Sequence, residues 1–291
     1  MNITKKLKRM KVKRVFIQYP EGLKLRIQDI SKRIESEGIE AIICCEPSFG
    51  SCDIRDEEAK RLGCDVILHI GHTDFGIKSE IPVVYWDYFI VVDPLPILKK
   101  GIKKLEKFKK IGLVTSVQFV KVMKKVQGYL KKIGKEVFFH KSLKYPGQIL
   151  GCNVQSAKII EDRVDCFLYV GAGKFHPLGV ALEVKKPVFS LDLEMNEIYN
   201  LENEKIKWLK KKTWYDAKLN DARKVGIIIS WKKGQNKIKE AKKLKKELEE
   251  KGKEVYILAF DRVTKDKIEG LKFDSIVNLA CPRLDDELIF H

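Results

Sequence analysis

The stretch Gly63-Cys-Asp-Val-Ile-Leu-His-Ile-Gly71 decides the fold, because a close echo of it follows later as Arg163-Val-Asp-Cys-Phe-Leu-Tyr-Val-Gly171. In both stretches an aspartate precedes an apolar run that ends in glycine. Such near-continuous apolar runs are typical of strands buried in parallel sheets. Phe273-Asp-Ser-Ile-Val-Asn-Leu-Ala280 holds the corresponding place near the end of the chain. Three runs of this kind predict three similar layers.

Working outward from these runs, strand-like and helix-like segments alternate along the whole chain. The predicted strands cover residues 12–20, 41–45, 64–70, 81–86, 110–115, 136–140, 164–171, 187–191, 224–230, 254–258 and 273–280. This alternation predicts parallel βαβ units, an α/β fold with Rossmann- or flavodoxin-like sheets. A repeat this long indicates duplicated domains rather than a solenoid.

The repeat predicts three layers in a pseudo-threefold arrangement around a shared centre. We expect the first layer at residues 1–100 with Cys52, and the second at 101–200 with Cys152. The third layer, with Cys281, is expected at 201–291 and begins with a helical linker over 201–220.

Composition narrows the class of protein. The chain has 291 residues and a formal net charge of +18, which favours an acidic partner. The basic N-terminus has no apolar segment behind it, so we expect no signal peptide. The longest apolar region, 83–98, is interrupted by two aspartates and two prolines and cannot span a membrane. We therefore expect a cytoplasmic protein.

Cysteines provide the main candidates for chemistry. Cys52, Cys152 and Cys281 each follow an apolar strand-like run and are expected on loops at the carboxyl ends of strands, where open parallel sheets bind ligands. On this pattern alone, a shared metal site and a coincidence of three loop thiols both remain open. The other four lie within or beside strands and are predicted to be buried small apolar residues: Cys44, Cys45, Cys64 and Cys166.

The number and spacing of the cysteines bear on which metal such a site would hold. An odd count without a CxxC pair, in a reducing compartment, fits thiols or metal ligands better than disulfides. Three protein thiolates on a four-iron cluster would leave one iron open to a substrate. Zinc is served less well by three cysteines that have no nearby fourth ligand.

Polar residues at other strand ends are weaker candidates. His72 and His176 follow strand-end glycines and are candidates to line a ligand cleft. Gly234-Gln235 lies where a helix N-terminus could meet an anionic group, and Arg283 is a natural fork for a carboxylate. The lysine runs are typical of solvated helix faces. They lack the interleaved aromatic residues of a specific nucleic-acid site.

Several of these motifs together resemble the archaeal 2-(3-amino-3-carboxypropyl)histidine synthases, which start diphthamide biosynthesis on elongation factor 2. The matching stretches appear in family order along almost the whole chain: Tyr19-Pro-Glu-Gly22, Phe49-Gly-Ser-Cys52-Asp53, Gly71-His72, Gln148-Ile-Leu-Gly-Cys152, Gly173-Lys-Phe-His176-Pro, Gly234-Gln235 and Ala280-Cys281-Pro-Arg283.

The resemblance implies a transferase with noncanonical radical chemistry. Cys52, Cys152 and Cys281 would hold a [4Fe–4S] cluster, and S-adenosylmethionine would bind its open iron through the methionine end. Gln235 and Arg283 would help to hold that methionine moiety. A 3-amino-3-carboxypropyl radical would then add to an imidazole carbon of the translation factor. The resemblance also implies a homodimer and a reducing electron donor.

The sequence departs from the family pattern at two places. The chain stops soon after Cys281, so a C-terminal closing segment is expected to be short or missing, and Phe49-Gly-Ser stands where the family often has Tyr-Gly-Ala.

Two alternative functions remain open. A quinolinate synthase-like [4Fe–4S] enzyme would have one cluster cysteine per layer but would not use S-adenosylmethionine. A non-catalytic basic adaptor of the translation machinery would bind no metal.

Overall fold

The computed structural model describes residues 3–282 and 284 of the chain, which form an α/β fold with three sheets. The strands, in chain order, are β1 (Arg14–Gln18), β2 (Glu40–Ile43), β3 (Val66–Ile70), β4 (Val83–Trp86), β5 (Lys110–Thr115), β6 (Glu136–Phe138), β7 (Cys166–Gly171), β8 (Val188–Asp192), β9 (Glu197–Asn200), β10 (Lys224–Ser230), β11 (Glu254–Phe260) and β12 (Ser275–Asn278).

Helices connect these strands. The α-helices are α1 (Ile3–Arg9), α2 (Ile27–Glu35), α3 (Asp56–Arg61), α4 (Leu95–Gly101), α5 (Met123–Lys132), α6 (Gln155–Lys158), α7 (Phe175–Glu183), α8 (Glu202–Asp221), α9 (Ile238–Glu249) and α10 (Lys265–Ile268). Short 3₁₀ helices cover Glu21–Arg26, Ile102–Leu105, Val117–Phe119 and Glu161–Arg163. Within the described residues, none of the helices has the length and apolar character needed to cross a bilayer.

One topology is common to the three sheets. The strand orders are β2-β1-β3-β4, β6-β5-β7-β8-β9 and β11-β10-β12. In each sheet the first strand along the chain is central, and the next two strands pair with it in parallel from either side. The predicted α/β fold with three parallel-sheet layers is confirmed, whereas the pseudo-threefold arrangement remains a prediction.

The sheet of the second layer carries a strand that sequence reasoning missed. β9 pairs with β8 in antiparallel register, from Phe189 opposite Asn200 to Asp192 opposite Glu197. Asn196, with φ 57°, lies in the turn between the two strands. Such a short hairpin strand has little apolar periodicity of its own, which is why the pattern did not reveal it.

Alternating side chains place a core on both faces of each sheet. Val15 and Ile17 of β1 belong to one buried cluster, and Phe16 between them belongs to another. Val225 and Ile227 of β10 lie on the opposite face from Ile228 in the same way. Because both faces are covered, the strands are continuously apolar, as the quoted runs predicted.

The aspartates of the quoted runs lock the start of each central strand. One Oδ2 oxygen of Asp65 accepts the backbone N–H groups of Lys13 and Arg14 at 2.6 and 2.8 Å. The same pair of bonds recurs at Asp165, with Lys109 and Lys110 as donors, and at Asp274, with Arg223 and Lys224. The repeated aspartate is therefore a structural feature of each layer rather than a functional one.

Three glycines end the helices that precede the second strands. Gly38, Gly134 and Gly252 have φ values of 77°, 82° and 80°, a conformation that other residues adopt only with strain. Each glycine comes just before the strand that pairs with the central one: β2, β6 or β11. The helix end and the strand start are thus set by the same residue in all three layers.

By their internal contacts, the residues group into two compact units. The first unit runs from the N-terminal helix to Tyr88 and also includes Lys232–Asn236. The second unit holds Phe89–Trp231 and the chain from Lys237 onward, so it contains the second and third sheets. The division into layers at 1–100, 101–200 and 201–291 remains a prediction.

The recurring aspartates give a prediction about acid stability. Backbone N–H donors hold the pKa of Asp165 below its usual value. Its unfolded pKa is about 3.9, so the stabilisation is fully present above that pH and is lost as the pH falls through the folded value. We expect Asp165→Asn to unfold at lower urea concentration than the wild-type chain at pH 7, with the gap closing towards about pH 2.

The control for this variant is Asp162→Asn, which changes an exposed aspartate of the preceding 3₁₀ turn and should leave the midpoint unchanged. Urea unfolding followed by circular dichroism across this pH range measures both variants. A difference between Asp165→Asn and wild type that stays constant with pH would contradict the role given to the carboxylate.

Candidate functional site

The Cys52 loop, residues 46–55, connects β2 to α3 and is tied to the end of the central strand of the first sheet. Gln18, the last residue of β1, is buried; its Nε2 donates to the Asp53 carbonyl at 3.0 Å, and its Oε1 accepts the Arg55 N–H at 3.1 Å. Ser51 Oγ donates to the Thr73 carbonyl at 2.5 Å, which links the loop to the segment after β3. The loop is therefore anchored at the carboxyl edge of its sheet, as predicted.

A second segment, Lys232–Asn236, lies directly against this loop in the first unit. The Gly234 N–H donates to the Cys52 carbonyl at 2.9 Å. A Cβ atom at Gly234 would lie 2.5 Å from the Cys52 Cα, so only glycine allows this approach. Gln235 Nε2 then reaches the Cys52 thiol, with 3.2 Å between Nε2 and Sγ. The structure thus brings together two predicted site residues that are far apart in sequence.

Ion pairs join the same two segments. Lys232 Nζ lies 2.5 Å from Asp53 Oδ2, and Arg55 Nε lies 3.8 Å from Asp53 Oδ1, with side chains only 6%, 3% and 9% exposed for Lys232, Asp53 and Arg55. Lys233 Nζ lies 2.7 Å from Asp56 Oδ2 at the start of α3. Burial alone would raise the pKa of Asp56, but the Lys233 ammonium and a backbone N–H hold it below its usual value. Buried charges of this kind require such partners.

The Cys52 thiol has a defined electrostatic environment. Burial raises the pKa of Cys52 above its usual value, and the hydrogen bond from Gln235 opposes that rise. A thiol with a raised pKa stays protonated at neutral pH unless a positive centre takes up the thiolate. The raised pKa therefore disfavours the thiolate form on which the reactivity of a free nucleophile depends.

Cys152 lies at the tip of a tight turn in the second unit. Leu150 and Asn153 exchange backbone hydrogen bonds of 2.9 and 3.2 Å, so Gly151 and Cys152 form the two-residue tip. A Cβ at Gly151 would lie 1.9 Å from the Phe175 ring of α7, which therefore packs directly on the turn. Cys152 itself is exposed. The fold presents this side chain at the tip of a hydrogen-bonded turn.

Cys281 follows β12 and is partly buried. Asn278 shapes the turn: its Nδ2 donates to the Cys281 carbonyl at 2.8 Å, and its Oδ1 accepts the Ala280 N–H at 2.9 Å. Cys281 follows the third strand of its layer, whereas Cys52 and Cys152 follow the second. The cysteine positions are therefore not strict equivalents in the repeat, although all three lie at carboxyl ends of strands.

The other cysteines behave as predicted except for one. Cys44, Cys64 and Cys166 are buried in hydrophobic clusters, and burial raises the pKa of Cys166 to about 12. The prediction of a buried Cys45 is wrong, because this residue is exposed. The physical reason is that β2 is an edge strand, and consecutive residues at its end, Cys44 and Cys45, turn to opposite sides.

The predicted histidines have contacts of their own. His69 is fully buried, and its Nε2 lies 3.0 Å from Nδ1 of His72, one of the cleft candidates. The ring of His176 stacks on Tyr169 with 6.1 Å between ring centroids and 4° between planes. Neither contact identifies a ligand, so a role in a cleft remains a prediction for both His72 and His176.

Of the other predicted site residues, Arg283 lies outside the described residues. Across residues 3–282 and 284, no group of three or more His, Cys, Asp or Glu side chains is gathered to hold a metal ion. The assignment of Cys52, Cys152 and Cys281 as a ligand set therefore remains a prediction. Sequence reasoning missed Lys232, and it quoted Asp53 in a matching stretch without giving it a role.

Comparisons with known proteins agree with the motifs. The model of the family described as "Putative diphthamide synthesis protein" matches residues 19–287. The 2-(3-amino-3-carboxypropyl)histidine synthase of Pyrococcus horikoshii is 36% identical over 290 residues, 98% of this chain and 83% of the relative. The synthase of Methanocaldococcus jannaschii is 29% identical over 95% of this chain and 80% of its own.

A solved structure gives the same result for the fold. The crystal structure of Dph2 from Pyrococcus horikoshii with a 4Fe-4S cluster matches with a TM-score of 0.89 and 35% identity, over 97% of this chain and 83% of that one. Sequence and fold point to the same relatives over nearly the full length of this chain. The chain belongs to the family of diphthamide synthesis proteins.

Proposed function

We propose that this chain is a 2-(3-amino-3-carboxypropyl)histidine synthase, a transferase that carries out the first step of diphthamide biosynthesis. It would move the 3-amino-3-carboxypropyl group of S-adenosylmethionine to a histidine of elongation factor 2. The observation that carries the proposal is the similarity to the Pyrococcus horikoshii synthase, at 36% identity over 98% of this chain. The relative with a 4Fe-4S cluster at a TM-score of 0.89 supports the chemistry.

The residues present fit an iron–sulfur cluster by their chemistry. Iron–sulfur clusters take thiolate ligands, and the three cysteines of the motifs that match the family lie outside the hydrophobic clusters on loops at strand ends: Cys52, Cys152 and Cys281. The exposed Cys45 also lies outside those clusters but belongs to none of these motifs. We propose these three as the ligands. When bound, the cluster would supply the electron that splits the Cγ–S bond of S-adenosylmethionine, with 5′-methylthioadenosine as the nucleoside product.

Gln235 would support the site in two ways. Its Nε2 already donates to Cys52 Sγ at 3.2 Å, and hydrogen bonds to ligand sulfurs tune iron–sulfur sites. A primary amide carries two N–H donors, so the second remains available for the carboxylate of the methionine moiety. We propose Arg283 as the bidentate partner of that carboxylate, because its planar guanidinium matches two oxygens at once.

The charge of the chain supports a protein partner. With a formal net charge of +18, it would attract an acidic face of elongation factor 2 and speed the encounter. A homodimer and a separate reducing electron donor, which the family resemblance implies, and a cytoplasmic location, which the sequence led us to expect, complete the proposal.

Cysteine substitution tests the ligand set. Cys52→Ala, Cys152→Ala and Cys281→Ala should each lose iron and the brown absorbance after anaerobic purification, because each removes one of three thiolates. Cys45→Ala is the matched control, since it removes an exposed thiol that is not a proposed ligand, and it should keep both. Iron and sulfide analysis measures the outcome. A Cys281→Ala chain with its full iron content would refute the assignment.

The nucleoside product tests the reaction itself. Anaerobic reduction of the iron-loaded chain with S-adenosylmethionine should release 5′-methylthioadenosine, identified by chromatography, because the Cγ–S bond is the one that breaks. Release of 5′-deoxyadenosine would contradict the mechanism. Failure to bind S-adenosylmethionine, with the cluster intact, would instead favour a quinolinate synthase-like enzyme, and absence of iron would favour an adaptor.

A further inference from the structure

Among the described residues, Lys232 is the one lysine that is buried, with 8% of its surface exposed. The chain as a whole has 58 lysines and arginines. Lysine is almost never fully buried without a partner. Its partner is Asp53, the residue next to Cys52, with 2.5 Å between Lys232 Nζ and Asp53 Oδ2. The same Nζ lies 5.8 Å from the centre of the Phe49 ring. The buried lysine is thus held within the Cys52 loop.

Stability alone does not account for this placement. Removing a lysine and a carboxylate from water carries a large desolvation penalty, and apolar residues of similar size often stabilise a fold as well or better. A buried pair is therefore weak evidence for a contribution to stability. Its position beside a proposed cluster ligand, with Arg55 Nε also 3.8 Å from Asp53 Oδ1, points to the loop and its charge instead.

We propose that Lys232 is a positioning residue for Cys52, acting through Asp53. The Lys232–Asp53 ion pair fixes the loop at the residue next to Cys52. The Gly234 N–H donates to the Cys52 carbonyl, and Gln235 Nε2 donates to the Cys52 sulfur. The fixed positive charge also offsets the Asp53 carboxylate next to the ligand. This inference rests on the proposed function only in taking Cys52 as a cluster ligand.

The neighbouring Lys233–Asp56 ion pair allows a specific effect of Lys232 on Cys52 to be distinguished from a general effect of ion pairs between these two segments. Lys233 pairs with Asp56 at 2.7 Å, but Asp56 begins α3 and is not adjacent to Cys52. The Lys233 side chain is also 32% exposed, so solvent screens its charge more. Lys233 is therefore a matched control, since the two lysines are consecutive and both form an ion pair with an aspartate of the first unit.

If the charges of Lys232 and Asp53 act on the cluster, removing each should shift its reduction potential in the opposite direction. A purely structural role of the ion pair would not predict opposite shifts. Adding an electron to a cluster is easier near a positive charge and harder near a negative one. Lys232→Met removes the positive member of the pair, so the reduction potential of the cluster should fall. Asp53→Asn removes the negative member, so the potential should rise. Both substitutions break the same ion pair.

The experiment is a redox titration of the iron-loaded full chain, followed by electron paramagnetic resonance. We expect opposite shifts for Lys232→Met and Asp53→Asn, with Lys233→Met and Lys232→Arg close to wild type. In parallel, Lys232→Met should lose iron to a chelator faster than wild type, because removing a group that orients a metal ligand typically lowers metal affinity about 10-fold to 100-fold. Lys232→Arg should restore slow loss.

Each result either supports or overturns the inference. Shifts of the same sign, or no shift, for Lys232→Met and Asp53→Asn would overturn it. If both variants bind too little iron to titrate, recovery of iron by Lys232→Arg with unchanged melting supports positioning, and failure to recover overturns it. Full iron in Cys52→Ala would refute the proposed ligand set instead, which keeps the two failures distinguishable.

Discussion

Each sheet depends on one constraint: its first strand must pair in parallel on both sides at once. The backbone N–H groups just before that strand's first pairing position with the third strand are accepted by an aspartate from the loop before the third strand. Asp65, Asp165 and Asp274 thereby fix where the third strand joins the first. Once that register is set, all strands of the central trio end at one edge, and the loops that follow them lie at that edge.

The Cys52 loop is held in place by the end of the central strand at this edge. Gln18, at the end of the central strand, uses both ends of its amide to hold the loop backbone on either side of Ile54. These two hydrogen bonds fix the backbone of the loop at the end of the central strand. Cys152 is held by a different device, a two-residue turn packed on the Phe175 ring, and Cys281 by the side chain of Asn278. Three different sets of local contacts thus hold the three cysteines at the ends of strands.

Much of this could be predicted from the sequence. The apolar runs gave the strands to within a few residues, because buried parallel strands leave a continuous apolar signature. The motifs identified the family and the three loop cysteines. The antiparallel β9 and the exposed Cys45 could not be predicted, since a four-residue hairpin strand and the last residues of an edge strand leave no periodic signal. Neither error touched a proposed ligand.

The sequence by itself determined the α/β class, the repeated layers, the positions of the cysteines at strand ends and the family. Only the tertiary structure decided that Lys232–Asn236 belongs with the Cys52 loop, about which periodicity is silent. The reason is physical: Lys232 looks like one of many solvated lysines until its burial against Asp53 is seen. The sequence marks Gly234 as part of a motif, but only the structure shows the Cys52 backbone where its Cβ would be. Contacts between residues so distant in sequence are set by packing and close approach, which local patterns do not record.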